Sequence, residues 1–324
     1  MIAYISPLIS LGISFVALHF LLQSSLANLV LDHPNQRSLH TQITPRTGGL
    51  GLIAGILVGW LLATPDWGWI GALFFLVSIS FLDDMRGLSV VWRLLAQLLA
   101  CTLFVLTYAQ IPTWWGLVLA IIAMTWMVNL YNFMDGADGL AGGMALFGFG
   151  FYALAAYLAG DSHFAVMSAC IAAAAAAFLL FNFHPARIFM GDAGSVPLGF
   201  LVGSMGLYGW QRGLWPVWFP ALVFSPFVVD ATVTLFKRLL RKEKIWQAHK
   251  SHYYQRLVQM GGHRKTAIAE YVLMLATGSS AVLLLNQTMP IVLEVLAFWT
   301  LLYFVLMWII DKRWSVSKRP GDAF

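Results

Sequence analysis

The chain has 324 residues, 60 % of them hydrophobic and 10 % charged, against roughly 25 % charged residues in soluble domains. That balance excludes a soluble globular enzyme. The net charge of +5 sits on short loops between apolar runs, so it reports on topology before it reports on a partner. The two cysteines, Cys101 and Cys170, both fall inside apolar runs, which speaks against a disulfide framework or a cysteine metal cluster and for simple packing.

Apolar runs of about 20 residues, each able to cross a hydrocarbon core about 30 Å thick as a helix, recur along the chain. They lie at 3–23, 48–64, 68–82, 91–110, 114–130, 140–159, 163–181, 196–211, 214–236, 266–285 and 290–310. The expected fold is therefore all-α, a polytopic integral membrane protein of eleven spans forming a single domain over 1–324. No loop is long enough to build a core of its own, the longest being 237–265. The first run has no basic segment before it, the earliest basic residue being Arg37, so it reads as a retained helix and not a cleaved signal.

Short loops that carry Lys and Arg stay in the cytoplasm. With the first loop inside, every Lys and Arg from Arg37 to Arg319 is cytoplasmic except Arg212, which puts the N-terminus outside and the C-terminus inside. The cytoplasmic loops then lie near 24–47, 83–90, 131–139, 182–195 and 237–265. A basic cytoplasmic face suits anionic lipid headgroups and anionic substrates, though topology alone accounts for most of it, and nothing suggests nucleic acid. The Ala run 172–177 is small enough for close interhelical packing.

Taken in chain order, the acids gather on that same face. Asp83 and Asp84 close the third run, where the negative end of a helix dipole disfavours carboxylates. Either the helix ends in water with Arg86 as a surface partner, or the pair holds a cation such as Mg²⁺, which takes one or two carboxylates and keeps sites for phosphates. The segment Asn132-Phe-Met-Asp135-Gly136-Ala-Asp138-Gly139 places acids at i and i+3, on one face if helical, each followed by a glycine that permits positive φ and close backbone approach. Polar groups of this kind at a membrane read as a site.

Asn182-Phe-His184-Pro185-Ala-Arg187-Ile-Phe189-Met190-Gly191-Asp192-Ala-Gly194-Ser195 follows the seventh run. Pro185 should end that helix, and Gly191 and Gly194 bracket Asp192 in a tight segment. Phe189 is either apolar filling or a platform for a nucleobase. The basic loop 237–265 carries His249-Lys250-Ser251-His252-Tyr253. Its histidines share a face if helical and suit either anionic headgroups or a phosphate, whereas zinc lacks further ligands. Asp230, inside the ninth run about two turns from Lys237, is either half of a buried pair or part of a lipid groove.

Together these motifs resemble the polyprenyl-phosphate N-acetylhexosamine-1-phosphate transferase family (glycosyltransferase family 4). The resemblance covers most of the chain: Phe81-Leu-Asp83-Asp84, Asn132 through Leu140, Asn182 through Ser195, and His249-x-x-His252, in family order. It implies a transfer of N-acetylhexosamine-1-phosphate from a UDP-sugar to polyprenyl (undecaprenyl) phosphate in a bacterial inner membrane, with Mg²⁺ or Mn²⁺ as cofactor. In that frame Asp83 and Asp84 lie at the catalytic centre, Asp192 ligates the metal with Asp83, and His249 and His252 sit at the cytoplasmic mouth. Asn132, Asp135, Asp138, Asn182, Phe189 and Arg46 form the nucleotide-sugar site, with Phe189 against uracil.

Tyr253 stands where some relatives have a third histidine. That departure, with the first loop Asp32-His-Pro34-Asn35-Gln-Arg37-Ser38-Leu-His40 and Thr44-Pro45-Arg46-Thr-Gly48-Gly49, resembles the O-antigen-initiating branch, whose sugars are N-acetylglucosamine or a 6-deoxy-N-acetylhexosamine. Some relatives form homodimers. The rival readings are a transporter or lipid flippase, whose sites lie at the bilayer midplane, and a non-catalytic scaffold for glycan assembly.

Overall fold

The structure is a computed structural model describing residues 2–34, 38–64, 67–244 and 249–317; Asn35, Arg37, Lys318 and Arg319 of the reading above lie outside the described residues. Thirteen helices follow in order: α1 (Ile2–Gln23), α2 (Gly48–Leu62), α3 (Trp67–Arg86), α4 (Val90–Tyr108), α5 (Trp114–Phe133), α6 (Leu140–Leu158), α7 (Ser162–Asn182), α8 (Asp192–Gln211), α9 (Trp218–Val223), α10 (Ser225–Leu240), α11 (Tyr253–Gly261), α12 (His263–Leu283) and α13 (Met289–Ser317). The all-α expectation holds apart from one antiparallel pair, β1 (Leu31–Asp32) with β2 (Thr44–Pro45), in the first loop.

Eight of the expected spans, α1, α3–α7, α12 and α13, are helices long and apolar enough to cross a membrane. Their outer faces carry exposed Leu8, Phe15, Leu103, Trp114, Ile122, Phe304 and Trp308, an apolar belt that water would not tolerate and acyl chains cover. The other three expected spans are helical but of a different kind. α2 has only 15 residues. The ninth breaks into α9 and α10 because Pro226, at the start of α10, lacks an N–H and its ring clashes with the carbonyl four residues back.

The remaining one, α8, is the post of the bundle, and it departs from an apolar composition because its neighbours, not lipid, surround it. Nearly every residue from Asp192 to Met205 is buried. Trp69 of α3 donates to Ser204 at 3.0 Å and Tyr152 of α6 to the Val202 carbonyl at 3.2 Å. At Gly199 a side chain would collide with Val128 of α5, 2.7 Å away. Small residues let backbones approach this closely. The alanine run on α7 serves the same end: Ala174, Ala175 and Ala177 are fully buried, and Ser14 of α1 donates to the Ala174 carbonyl at 3.2 Å. Cys101 and Cys170 are buried and unlinked, packing residues as expected.

Two local devices bring loops to one end of the bundle. The first is a backbone junction: Gly48 and Gly49, at the start of α2, donate to the Phe189 and Met190 carbonyls at 2.9 and 2.8 Å, and Phe189 donates back to Pro45 at 2.7 Å. A Cβ on Gly49 would sit 2.5 Å from the Gly194 Cα, so only hydrogen fits. The second is Asp230, which is not paired with Lys237 and lines an apolar groove between α10 and α13. Its Oδ1 accepts from Tyr253 N (2.9 Å) and Thr234 Oγ1 (3.0 Å), and its Oδ2 from Tyr254 N (2.8 Å). Asp230 therefore caps α11 as a carboxylate at a helix N-terminus, where the dipole favours it. Lys237 pairs instead with Asp311 of α13, at 2.7 Å.

Gly49→Ala is expected to destabilise the purified protein by about 1–3 kcal/mol, the usual range for overpacking, read as a lowered thermal unfolding midpoint in detergent. Asp230→Ala leaves four donors, the Tyr253 and Tyr254 N–H groups, the Thr234 hydroxyl and the His252 ring, without their acceptor and should cost about 1–3 kcal/mol, with faster amide exchange at Tyr253 and Tyr254 as the local signature.

Candidate active site

Asp83 and Asp84 end α3, where the dipole opposes them, yet each is turned toward a favourable partner. Asp84 Oδ2 accepts from the Ala193 N–H at 3.1 Å and also from the Asp192 N–H, so it sits at the positive N-terminus of α8. Gly191, with φ +69°, allows the chain to turn into that helix. Asp83 Oδ1 accepts from the Leu88 N–H at 2.6 Å. Two arginines complete the cluster: Arg46 lies 3.3 Å from Asp84 and 3.6 Å from Asp192, and Arg93 lies 3.1 Å from Asp83 and 3.4 Å from Asp192. Three carboxylates from two helices thus share one volume.

Beside them lies a cavity of about 100 Å³. Arg46, Asn132, Asp135, Asp138, Asn182, Phe189 and Asp192 all line it, together with Asp32, His40 and His263. The 134–139 segment reaches it as a loop, as the sequence placed it; Gly139 takes φ +77° and precedes α6. Asp135 is drawn out of bulk water, which pushes its carboxyl well above the usual carboxylate range; Asp192, Asp84 and Asp32 add to the shift and Arg46 opposes it.

Several of the expected donor-site residues are fastened to the fold. Asn182 accepts from Gly139 N–H and donates to the Ile188 carbonyl, both at 2.9 Å, and so fixes the two loops to each other. Asn132 accepts from Ser195 Oγ at 3.2 Å. Phe189 meets the His40 ring edge-on, centroids 4.9 Å apart. Asp138 is 2.6 Å from His184 Nδ1 and accepts from Ala186 N–H at 3.2 Å.

Asp138, His184 and His263 bring three ligand atoms within 4.8 Å of one another, but hydrogen bonds already use them. His263 Nδ1 accepts from Asp138 N–H at 3.1 Å, so Nε2 carries the proton that it donates to the Leu39 carbonyl at 3.1 Å. That neutral ring pins the loop and has no lone pair free for a metal. The acids around Arg46 and Arg93 fit a hard cation better: all donors are carboxylate oxygens, and Asp83, Asp84, Asp135 and Asp192 outnumber the two guanidiniums. Oxygen-only sites of this composition suit Mg²⁺ or Mn²⁺.

His249 and His252 lie outside the cavity lining. α11 starts only at Tyr253, so the pair sits in the loop before it, with rings 4.8 Å apart. His252 is buried, 3.2 Å from Asp230 Oδ1, and stacks on Phe133. Burial, with His252 and Arg238 nearby, pushes His249 down to about 4, which leaves it neutral near pH 7. Tyr254 links this layer to the cavity loop by donating to the Phe133 carbonyl at 3.0 Å. Sequence reasoning missed Arg93 and His263 as site residues. Arg93 stands ten positions after Asp83, at the start of the next helix, a proximity that only the α3–α4 turn reveals.

Residues 67–209 match the model for "Glycosyl transferase family 4". A protein of Bacillus subtilis (strain 168) named "Probable undecaprenyl-phosphate N-acetylglucosaminyl 1-phosphate transferase" is 30 % identical over 281 residues, covering 80 % of this chain and 78 % of the relative. The decaprenyl-phosphate N-acetylglucosaminephosphotransferase of Mycolicibacterium smegmatis is 29 % identical, covering 74 % and 71 %. The phospho-N-acetylmuramoyl-pentapeptide-transferase of Halalkalibacterium halodurans is 30 % identical, covering 66 % and 75 %. By this similarity, which extends over most of its length, the chain belongs to glycosyl transferase family 4, the polyprenyl-phosphate N-acetylhexosamine-1-phosphate transferases.

Proposed function

We propose that the protein transfers N-acetylhexosamine-1-phosphate from a UDP-sugar to a polyprenyl phosphate such as undecaprenyl phosphate, releasing UMP on the cytoplasmic side of a bacterial inner membrane. The observation that carries the reading is the meeting of Asp83, Asp84 and Asp192 with one cavity lined by Arg46, Asn132, Asp135, Asp138, Asn182 and Phe189. A transporter would place its site at the midplane; here the acids stand at helix ends.

An acceptor phosphate oxygen attacks the β-phosphorus of the donor. The new O–P bond forms as the bond from that phosphorus to the bridging oxygen breaks, and UMP leaves with the bridging oxygen and its electron pair. The second pKa of a phosphate monoester is about 6, so the acceptor is already ionised near pH 7 and needs no obligatory base. Asp83 and Asp84 then position groups and need not abstract a proton. Mg²⁺ or Mn²⁺ held by Asp83, Asp84 and Asp192 would supply neutralisation of diphosphate charge. Arg46 and Arg93 offer planar N–H forks suited to phosphate oxygens, for which they would exchange their present carboxylate partners.

A cavity of about 100 Å³ is smaller than the roughly 300–1,000 Å³ of ligand pockets, so seating the whole donor displaces the first loop, whose Asp32 and His40 form part of the wall. Two of the relatives above are named for N-acetylglucosamine, and Tyr253 follows the histidine pair; we therefore favour N-acetylglucosamine or a 6-deoxy relative, used to initiate an O-antigen or another envelope glycan. Orientation follows the basic loops, with the N-terminus outside.

Purified protein given a panel of UDP-sugars, undecaprenyl phosphate and Mg²⁺ is expected to release UMP, most rapidly from an N-acetylhexosamine donor, and to stop when EDTA removes the metal. UMP release independent of the lipid acceptor contradicts the proposal. Asp192→Asn and Asp83→Asn should each lower kcat by about 10²–10³-fold, the scale for losing one electrostatic group at a reacting centre, with the unfolding midpoint kept.

A further inference from the structure

One wall of the donor cavity carries two histidines, His40 and His263, to which the reaction above gives no task. His263 begins α12 and its side chain is bonded on both sides. Its Nδ1 accepts from the Asp138 N–H and its Nε2 donates to the Leu39 carbonyl, each at 3.1 Å, while the His184 ring lies flat against it with centroids 5.3 Å apart. Leu39 also packs its side chain on the hydrophobic core. The main chain at Leu39 is therefore anchored twice, and the next side chain along, His40, is presented to the cavity from a held position.

His40 itself is not satisfied. Its Nε2 is buried without a hydrogen-bond partner, and among the described residues it is the one such side-chain atom that belongs to the wall of this cavity. A nitrogen buried alone costs free energy that a partner restores, and an orphan of this kind at a cavity points to a ligand group. The neighbouring wall residue is Phe189, whose ring meets the imidazole edge-on, centroids 4.9 Å apart.

An aromatic face beside a nitrogen that can donate or accept, according to its tautomer, matches a nucleobase, which offers a flat face for stacking and a polar edge for hydrogen bonding. The diphosphate has its own partners in Arg46 and Arg93, at the acids. We propose that His40 recognises the uracil of the donor through Nε2, and that His263 is the positioning residue that holds it there through Leu39. When a base settles on Phe189 the imidazole turns aside from its anchored backbone, and Nε2 comes against the polar edge of the base. The proposal rests on the transferase reading and adds to it a residue that distinguishes the base from the rest of the donor.

Calorimetric titration of the purified full chain in detergent with Mg²⁺ tests this, using UDP and inorganic pyrophosphate as separate probes. His40→Ala should weaken UDP by about tenfold, the scale of one hydrogen bond, and leave pyrophosphate unchanged. His40→Phe, which keeps a ring and loses the nitrogen, should do the same. His33→Ala, exposed on the same loop and outside the cavity wall, should change neither. His263→Asn keeps an acceptor for the Asp138 N–H but is too short for Leu39; it should weaken UDP and speed amide exchange across residues 38–46. His263→Gln, whose amide nitrogen reaches as far as Nε2, should recover both. Unfolding midpoints show whether each variant is folded. UDP affinity that survives both His40 substitutions, equal weakening of UDP and pyrophosphate, or equal behaviour of the two His263 variants overturns this proposal and leaves the transferase reading standing. Failure of the unaltered chain to bind UDP removes both.

Discussion

Like charges repel, and three carboxylates in one small volume are stable only where something positive is built between them. Here it is built twice. The N-terminus of α8 receives Asp84 through backbone N–H groups, and Arg46 and Arg93 reach into the remaining gaps. The dipole that makes the end of α3 unfavourable for acids is answered by the dipole at the start of α8. The rest of the structure serves that junction. Gly49 against Gly194 sets how near α2 comes to α8, and Asn182 ties the Asp135–Asp138 loop to the Phe189 segment.

The same arrangement gives a membrane protein a fixed cluster of charged groups at one end of its bundle. Acids and arginines stand at helix ends, so long-range position is set by packing within the bundle and only short loops need local order. Asp138, His184 and His263 consolidate one such loop through hydrogen bonds, and Tyr254 carries the position of α11 to it. Arginine in contact with two acids at once is held in place without being buried unpaired.

Much of this was legible in the sequence because lipid imposes a simple rule. Long apolar runs marked α1, α3–α7, α12 and α13. The rule weakens for helices shielded by protein. α8 has the length of a span but a small-residue composition suited to close packing, and the α9–α10 break follows from Pro226. Residues in tight glycine-flanked loops, such as Asp135 and Asp192, announced themselves, and they share one cavity with Arg46, Asn132, Asp138, Asn182 and Phe189. Arg93 and His263 gave no such signal. Each looks like an ordinary polar residue at a helix start; Arg93 reaches Asp192 across 99 positions and His263 reaches Asp138 across 125. The histidine pair was readable as a pair but not as part of the buried layer under Asp230.

The most direct test is the position of a divalent ion. Crystals of the protein soaked with Mn²⁺ and UDP should show anomalous scattering among Asp83, Asp84 and Asp192, with the UDP phosphates beside it and Arg46 and Arg93 turned from the carboxylates toward phosphate oxygens. Manganese bound instead at Asp138, His184 and His263, or UDP seated in the cavity without any ion near Asp192, would contradict the account.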